Sequence, residues 1–173
     1  MVPRVRGKPY EAEFERFSVV SLPGGQTSTD TKTGVVARDS SGRELEQERV
    51  RVQAETGEYT YGIARIYDPV GATDYIVDRQ SKTILSAYHI SHGIGLTIDV
   101  GDIAIALPVG CLPEGGDSTG RQVIEGQPCP GYRYTTEGGT LEYWVSEELQ
   151  AIVLLRVVTK NRESTFRVYN ISR

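Results

Sequence analysis

The sequence is poor in the residues on which most chemistry is built. Its 173 residues include two cysteines, two histidines, one tryptophan and one methionine. No stretch approaches the roughly 20 consecutive apolar residues of a membrane helix, so the chain is not expected to span a membrane that way. Charge of either sign is also in short excess: 23 acidic against 19 basic residues leave a formal net charge of -4. No basic stripe is present, which argues against nucleic acid as a partner. Met1-Val2-Pro3-Arg4-Val5-Arg6-Gly7 has basic residues but no apolar stretch behind them, so it does not read as a secretion signal. Two readings stay open: a cytoplasmic protein, or a chain that begins after a removed leader.

Catalytic signatures are missing too. There is no Gly-x-Ser-x-Gly elbow, and neither cysteine has the surroundings of a reactive thiol. Acidic residues alternate along candidate strands as solvated faces, which gives no specific carboxylate pair for glycoside chemistry. Gly93-Ile94-Gly95-Leu96 and Gly138-Gly139 fall short of a phosphate-binding fingerprint. The histidines stand three apart in Tyr88-His89-Ile90-Ser91-His92, with no cysteine or carboxylate beside them to complete a zinc set; the nearest acidic residue downstream is Asp99. They read as two loop histidines at a strand end. The expectation is no enzyme, no metal and no cofactor.

Cys111 and Cys129 lie in Val109-Gly110-Cys111-Leu112-Pro113 and Gln127-Pro128-Cys129-Pro130-Gly131. Glycine and proline keep both out of regular ladders. A disulfide would close a loop of about 18 residues and contribute roughly 3 kcal/mol, implying an oxidising compartment. Two free thiols is the other reading.

What the sequence does have is Tyr, Thr, Val, Ile and Gly in short alternating runs, which is the composition of strands joined by turns. Glu11-Ala12-Glu13-Phe14-Glu15 alternates as a half-buried strand, with a phase change at Arg16-Phe17 that suggests a bulge. Leu22-Pro23-Gly24-Gly25-Gln26 and Asp39-Ser40-Ser41-Gly42 are turns around a polar strand from Lys32 to Arg38. Arg43 to Glu55 suits a helix by propensity, but Val50, Val52 and Ala54 alternate with Arg49, Arg51, Gln53 and Glu55, which favours a strand. Ile63–Tyr67, Thr73–Val77 and Thr83–Tyr88 form a meander, because connections of four or five residues force antiparallel pairing.

Ile94, Leu96, Ile98 and Val100 alternate in one phase and Ile103, Ile105 and Leu107 in the other, with a bend at Gly101-Asp102. A Gly-, Pro- and Asp-rich loop follows from Pro108 to Gly120. A second meander runs through Val123–Glu125, Tyr132–Thr136, Leu141–Val145, Ala151–Thr159 and Thr165–Ile171. Within it, Ser146-Glu147-Glu148-Leu149 reads as one capped helical turn. The sum is a single mainly β domain over residues 1–173: one strongly curved antiparallel sheet, an open half-barrel of about ten strands with meander connections and little helix.

Several segments, in order, resemble a family of secreted bacterial proteins of unknown function common in acidobacteria. They are Lys8-Pro9-Tyr10-Glu11-Ala12-Glu13-Phe14, Ala37-Arg38-Asp39-Ser40-Ser41-Gly42-Arg43, Ile66-Tyr67-Asp68-Pro69-Val70, Tyr75-Ile76-Val77-Asp78 with Lys82-Thr83 after it, Val123-Ile124-Glu125-Gly126, Trp144 to Gln150 and Thr165 to Ile171. Leu141 to Val157, with its Tyr-x-Trp-Val pattern, turn and strand, is more distantly similar to periplasmic lipoprotein-carrier and sigma-factor-regulator domains. That resemblance implies an open half-barrel whose concave face takes acyl chains, and a periplasmic or extracellular location. The chain departs from those domains in lacking clear lid helices; Tyr88 to Gly120 is the segment that would supply a lid.

The resulting expectation is a non-catalytic exported binding domain holding an apolar ligand, a lipid or a lipidated protein, in the concave face. Ile94, Leu96, Ile98, Ile103 and Ile105 are the expected lining. The alternative is a structural or protein-interaction module with a filled core and no ligand.

Overall fold

The computed structural model describes residues 6–51, 59–89, 95–100, 103–108 and 116–173. Strands β1 (Tyr10–Ser21), β2 (Thr27–Arg38), β3 (Glu44–Arg51), β4 (Tyr59–Asp68), β5 (Thr73–Asp78) and β6 (Thr83–His89) form the first meander. Strands β7 (Gly95–Val100) and β8 (Ile103–Pro108) pair with each other as a separate two-stranded sheet. Strands β9 (Asp117–Ile124), β10 (Gln127–Thr136), β11 (Gly139–Ser146), β12 (Ala151–Thr159) and β13 (Arg162–Ser172) form the second meander.

The two meanders share one eleven-stranded antiparallel sheet, ordered β6-β5-β4-β3-β2-β1-β13-β12-β11-β10-β9. The seam between them is the pairing of β1 with β13, which sets Phe14 opposite Val168 and Phe17 opposite Thr165. Strands β6 and β9 end the sheet, so it is open, and no helix occurs among the described residues. This is the mainly β, open antiparallel architecture that the alternation predicts.

Turn chemistry follows the residues. Asp39 Oδ1 accepts hydrogen bonds from the Ser41 amide and hydroxyl and the Arg43 amide, while Gly42 takes φ 91°. Only glycine adopts that angle without strain, and so the β2–β3 connection closes tightly.

Three local expectations are corrected. The phase does not change at Arg16-Phe17. The β1–β13 irregularity lies between Glu11 and Glu13, and Ala12, Phe14, Arg16 and Ser18 keep one face. Arg16 sits on the inner face because its guanidinium lies 5.8 Å from the ring centroids of both Phe14 and Phe166, while Phe17 turns out to 41% exposure. The capped turn read at Ser146-Glu147-Glu148-Leu149 is present between β11 and β12, but it is not helical: Ser146 ends β11 and the turn runs from Glu147 to Gln150. Ser146 Oγ caps it by accepting from the Leu149 amide at 3.1 Å. The loop expected up to Gly120 ends earlier, because Asp117 already pairs with Arg133. The strand reading of Arg43 to Glu55 holds over Glu44–Arg51, and the remainder of that stretch lies outside the described residues.

Curvature is visible in one contact. The Arg38 guanidinium, on β2, donates to the carbonyls of Leu149 and Gln150, in the turn before β12. In a flat sheet β2 and β12, three strands apart, would be separated by about 14 Å. The sheet therefore curls toward its buried face, and the turn folds in to meet the arginine.

Candidate functional site

The inner face divides by meander. Across β10–β13 and β1 it is apolar: Phe14, Leu141, Tyr143, Val153, Leu155, Val157, Phe166 and Val168 are all buried. Register explains the continuity, since Tyr143 opposes Leu155, Leu155 opposes Phe166, and Val168 opposes Phe14. Three tyrosines form a wall at its far side. Tyr132 and Tyr134 stack on Tyr143 with ring centroids 5.3 and 6.3 Å away. Burial pushes the Tyr143 phenol up to about 12, so it stays neutral throughout the physiological range.

Across β1–β5 the same face carries charge. Arg16 bonds Glu46 at 2.8 Å and approaches Glu48 at 3.5 Å, Lys32 meets Glu48 at 3.3 Å, and Arg65 meets Asp74 at 2.7 Å. Each cation has a carboxylate, so this half is polar yet electrically closed.

At one end of the inner face a buried cluster joins the two halves. Arg38 is 3% exposed; it donates to the Lys8 carbonyl at 3.2 Å, lies 5.0 Å over the Tyr10 ring and faces Glu44 at 3.5 Å. Lys8 extends the tie by donating to the Glu148 carbonyl. Glu44 is buried, and its Oε2 has no hydrogen-bond partner. Desolvation outweighs the pull of Arg38 and lifts the Glu44 carboxyl to about 7. Tyr10 is raised for the same reason, with the Glu44 charge adding to it.

The residues expected to line a site fall as follows. Ile94 lies outside the described residues. Leu96 and Ile98 are on β7, and Ile103 and Ile105 are on β8; the register opposes Leu96 to Leu107, Ile98 to Ile105 and Val100 to Ile103, and the bend expected at Gly101-Asp102 lies outside the described residues. Cys111 and His92 lie outside the described residues, while His89 ends β6 in an exposed position. Cys129 is buried, donates to the Gln127 carbonyl at 3.4 Å, and has its thiol raised by desolvation, which suppresses the nucleophilic thiolate. The tyrosine wall and the Arg38 cluster were not anticipated. The wall is legible afterwards as the alternation Tyr132-Arg133-Tyr134, whereas the cluster depends on carbonyls more than a hundred residues away.

The opposite face holds a groove of about 460 Å³ over the second meander, lined by Arg133, Glu142, Trp144, Leu154, Arg156 and flanking polar residues.

Comparison with known proteins gives structural likeness only. No family model matches the chain, and no curated protein matches its sequence. Among solved structures, a LolA superfamily protein from Nitrosomonas europaea is 9% identical with a TM-score of 0.43, over 98% of this chain and 87% of that one. MucB in complex with MucA is 12% identical with a TM-score of 0.39, over 96% of this chain and half of MucB. A putative outer membrane lipoprotein-sorting protein domain from Vibrio parahaemolyticus is 8% identical with a TM-score of 0.37, over 95% of this chain and 84% of that one.

Proposed function

We propose that this chain is a non-catalytic, exported binding domain that holds an apolar ligand, a lipid or a lipidated protein, against the apolar half of its inner face. The observation that supports this reading is the continuous apolar inner face of the second meander. A β-sheet with one apolar face needs a second layer to cover it, and this sheet brings no helices among the described residues. The wall of Tyr132, Tyr134 and Tyr143, the Phe14–Phe166 pair and the aliphatic row Val153, Leu155 and Val157 make a continuous, largely buried apolar lining, into which an acyl chain would insert as part of the core. Ile94, Leu96, Ile98, Ile103 and Ile105 would complete the lining from the remaining apolar segment. A periplasmic or extracellular location rests on the sequence resemblance.

Native mass spectrometry after gentle purification tests the reading. The expected result is a species heavier than the chain by the mass of a lipid. A fluorescent fatty acid added after delipidation should bind the wild type and bind the Ile98→Asp/Ile105→Asp variant at least tenfold more weakly, at an unchanged melting temperature. A wild type that carries no extra mass and takes up no probe would overturn it.

A further inference from the structure

The cluster that ties the two halves holds a titratable group at its centre. Tyr10, Arg38, Glu44 and Tyr67 form one rung across β1, β2, β3 and β4. The turn from Glu147 to Gln150 folds in against that rung.

One side chain holds the turn. Arg38 spreads its guanidinium over three carbonyls: Nε donates to Lys8 at 3.2 Å, Nη1 to Gln150 at 3.3 Å and Nη2 to Leu149. Two of the three belong to the turn. What they keep in place is Leu149, which is 2% exposed and packed in the apolar core with Tyr143, Val145 and Ala151. The turn is therefore a strap with its apolar residue seated in the core.

Glu44 is the weak point of this arrangement. Its Oε1 faces Arg38 Nη1 at 3.5 Å, the same nitrogen that serves Gln150, and its Oε2 is buried without a partner. A neutral carboxyl tolerates such a place, but a buried carboxylate needs donors on its oxygens. Arg38 can supply one by turning toward Glu44, since a bond to an anion is about twice as strong as one to a neutral carbonyl. Water can supply one by entering the cluster. The groups on β1 to β4 are fixed by the sheet ladder, so the strap is the part that gives way in either case.

Few other charges bear on the site. Glu46 faces the cluster from β3 and is paired with Arg16, Tyr10 on β1 has its phenol raised by burial, and Tyr67 opposes Glu44 from β4. Lys8 lies at the margin, where its ammonium donates to the Glu148 carbonyl at 2.8 Å. Burial outweighs Arg38 and sets the titration of Glu44 at about 7.

We infer that Glu44 is a proton-controlled latch on the inner face. Loss of its proton draws Arg38 off the Leu149 and Gln150 carbonyls, releases the turn and lifts Leu149 out of the core. The apolar face thus opens at that end as the medium turns alkaline. Control of ligand entry by the latch rests on the binding function proposed above; the latch itself does not. A carboxyl at about 7 when latched and 4.5 when released makes the latch about thirtyfold weaker at pH 8.5 than at pH 5.5.

The test is NMR of the whole, ligand-free chain across that range. The carbonyl carbons of Leu149 and Gln150 report the bonds to Arg38, and the Leu149 amide, which donates to Ser146 Oγ, reports release through its exchange with water. Both carbonyl signals should move with a midpoint near 7. Exchange at Leu149, corrected for its intrinsic pH dependence, should rise at least tenfold, while the Phe14 and Val168 amides at the seam keep their protection. Glu44→Gln should show neither change, and Glu44→Met takes its place should that variant not fold. The absence of a midpoint near 7 overturns the inference. Carbonyl shifts without faster exchange overturn it too, because Glu44 would then titrate with the strap in place. Equal acceleration at the seam would mean a general loss of stability, and unchanged behaviour in Glu44→Gln would assign the titration elsewhere; either result is fatal to the latch. No ligand enters these readouts, so they leave the binding function to its own test.

Discussion

The two meanders are built by the same alternation and lie in one continuous sheet, yet their inner faces obey opposite chemistry. In the second, every other residue adds to a buried apolar surface that ends in Tyr143, Leu155 and Phe166. In the first, the same positions are filled by Arg16, Lys32, Glu46, Glu48, Arg65 and Asp74, closed into ion pairs. Strand periodicity sets which way a side chain points, and it does not decide what the face is for. Stability is therefore expected to be concentrated in the second meander and at the seam, where burial removes apolar area from water at about 25 cal/mol per Å². Partly exposed ion pairs return little.

The sharpest way to break this comparison is to truncate one residue on each side. Leu155→Ala should cost about 3–4 kcal/mol by cavity formation, whereas Glu46→Ala should cost about 1 kcal/mol or less, since Arg16 still faces Glu48 at 3.5 Å. Urea denaturation of both variants reads the difference, and equal losses would show that the halves are energetically alike.

Each meander also contains an aromatic laid over a cross-strand glycine, Phe14 over Gly34 and Trp144 over Gly131. An added methyl at Gly34 would overlap the backbone carbonyl of Gln47 as well as the Phe14 ring, while the nearest atoms it would meet at Gly131 belong to the side chains of Thr119 and Trp144. Gly34→Ala is thus expected to cost about 3 kcal/mol and Gly131→Ala about 1 kcal/mol, as measured by the same denaturation.

A third variant probes the cluster that ties the halves. The Glu44 carboxyl titrates near 7 in the folded chain against 4.5 for the free side chain. Protonated Glu44 therefore contributes stability that is complete below 4.5 and is lost as the pH rises through 7. Arg38, Tyr10 and Glu46 face this site from β2, β1 and β3. Glu44→Gln should match the wild type near pH 4.5 and exceed it at pH 8 by about 3 kcal/mol. Thermal melts across that range check the sign; a variant that loses stability at pH 8 would mean that the Arg38 charge pair outweighs desolvation. The smallest effect belongs to Arg121→Ala. Its partner Glu147 and Arg121 itself are both more than half exposed, and a melting-temperature change within error is expected.

Much of the fold was legible from residues alone, because turns announce themselves chemically. Asp39 with Gly42, Gly24-Gly25 and Gly138-Gly139 each close a hairpin where the sequence indicates one. The misread places share a cause. Arg16 breaks the apolar phase in the sequence but keeps it in space, because a guanidinium stacked on Phe14 and Phe166 behaves as part of the apolar surface. The Ser146 turn uses helical capping chemistry without a helix behind it, and one turn is too short for propagation to offset nucleation. The candidate sites were less legible. A tyrosine wall needs only period two, but the groove floor depends on a bulge-shifted register between β9 and β10 and on a missing side chain at Gly131, neither of which a single strand reveals.

The seam has a kinetic consequence. Every other pairing in the sheet joins strands adjacent in sequence, while β1 with β13 brings Phe14 to Val168 across nearly the whole chain. Hairpins form in microseconds, but a contact of such separation carries a loop-closure cost that local pairs avoid. Each meander is free to zip early and then wait, with the Phe14 and Phe166 edges unpaired, until the ends of the chain find each other. Folding should accordingly be limited by that one closure. Substitutions at Phe14 or Val168 that slow it will lengthen the interval in which two half-sheets stand with open edges, when association between molecules competes with completion of one.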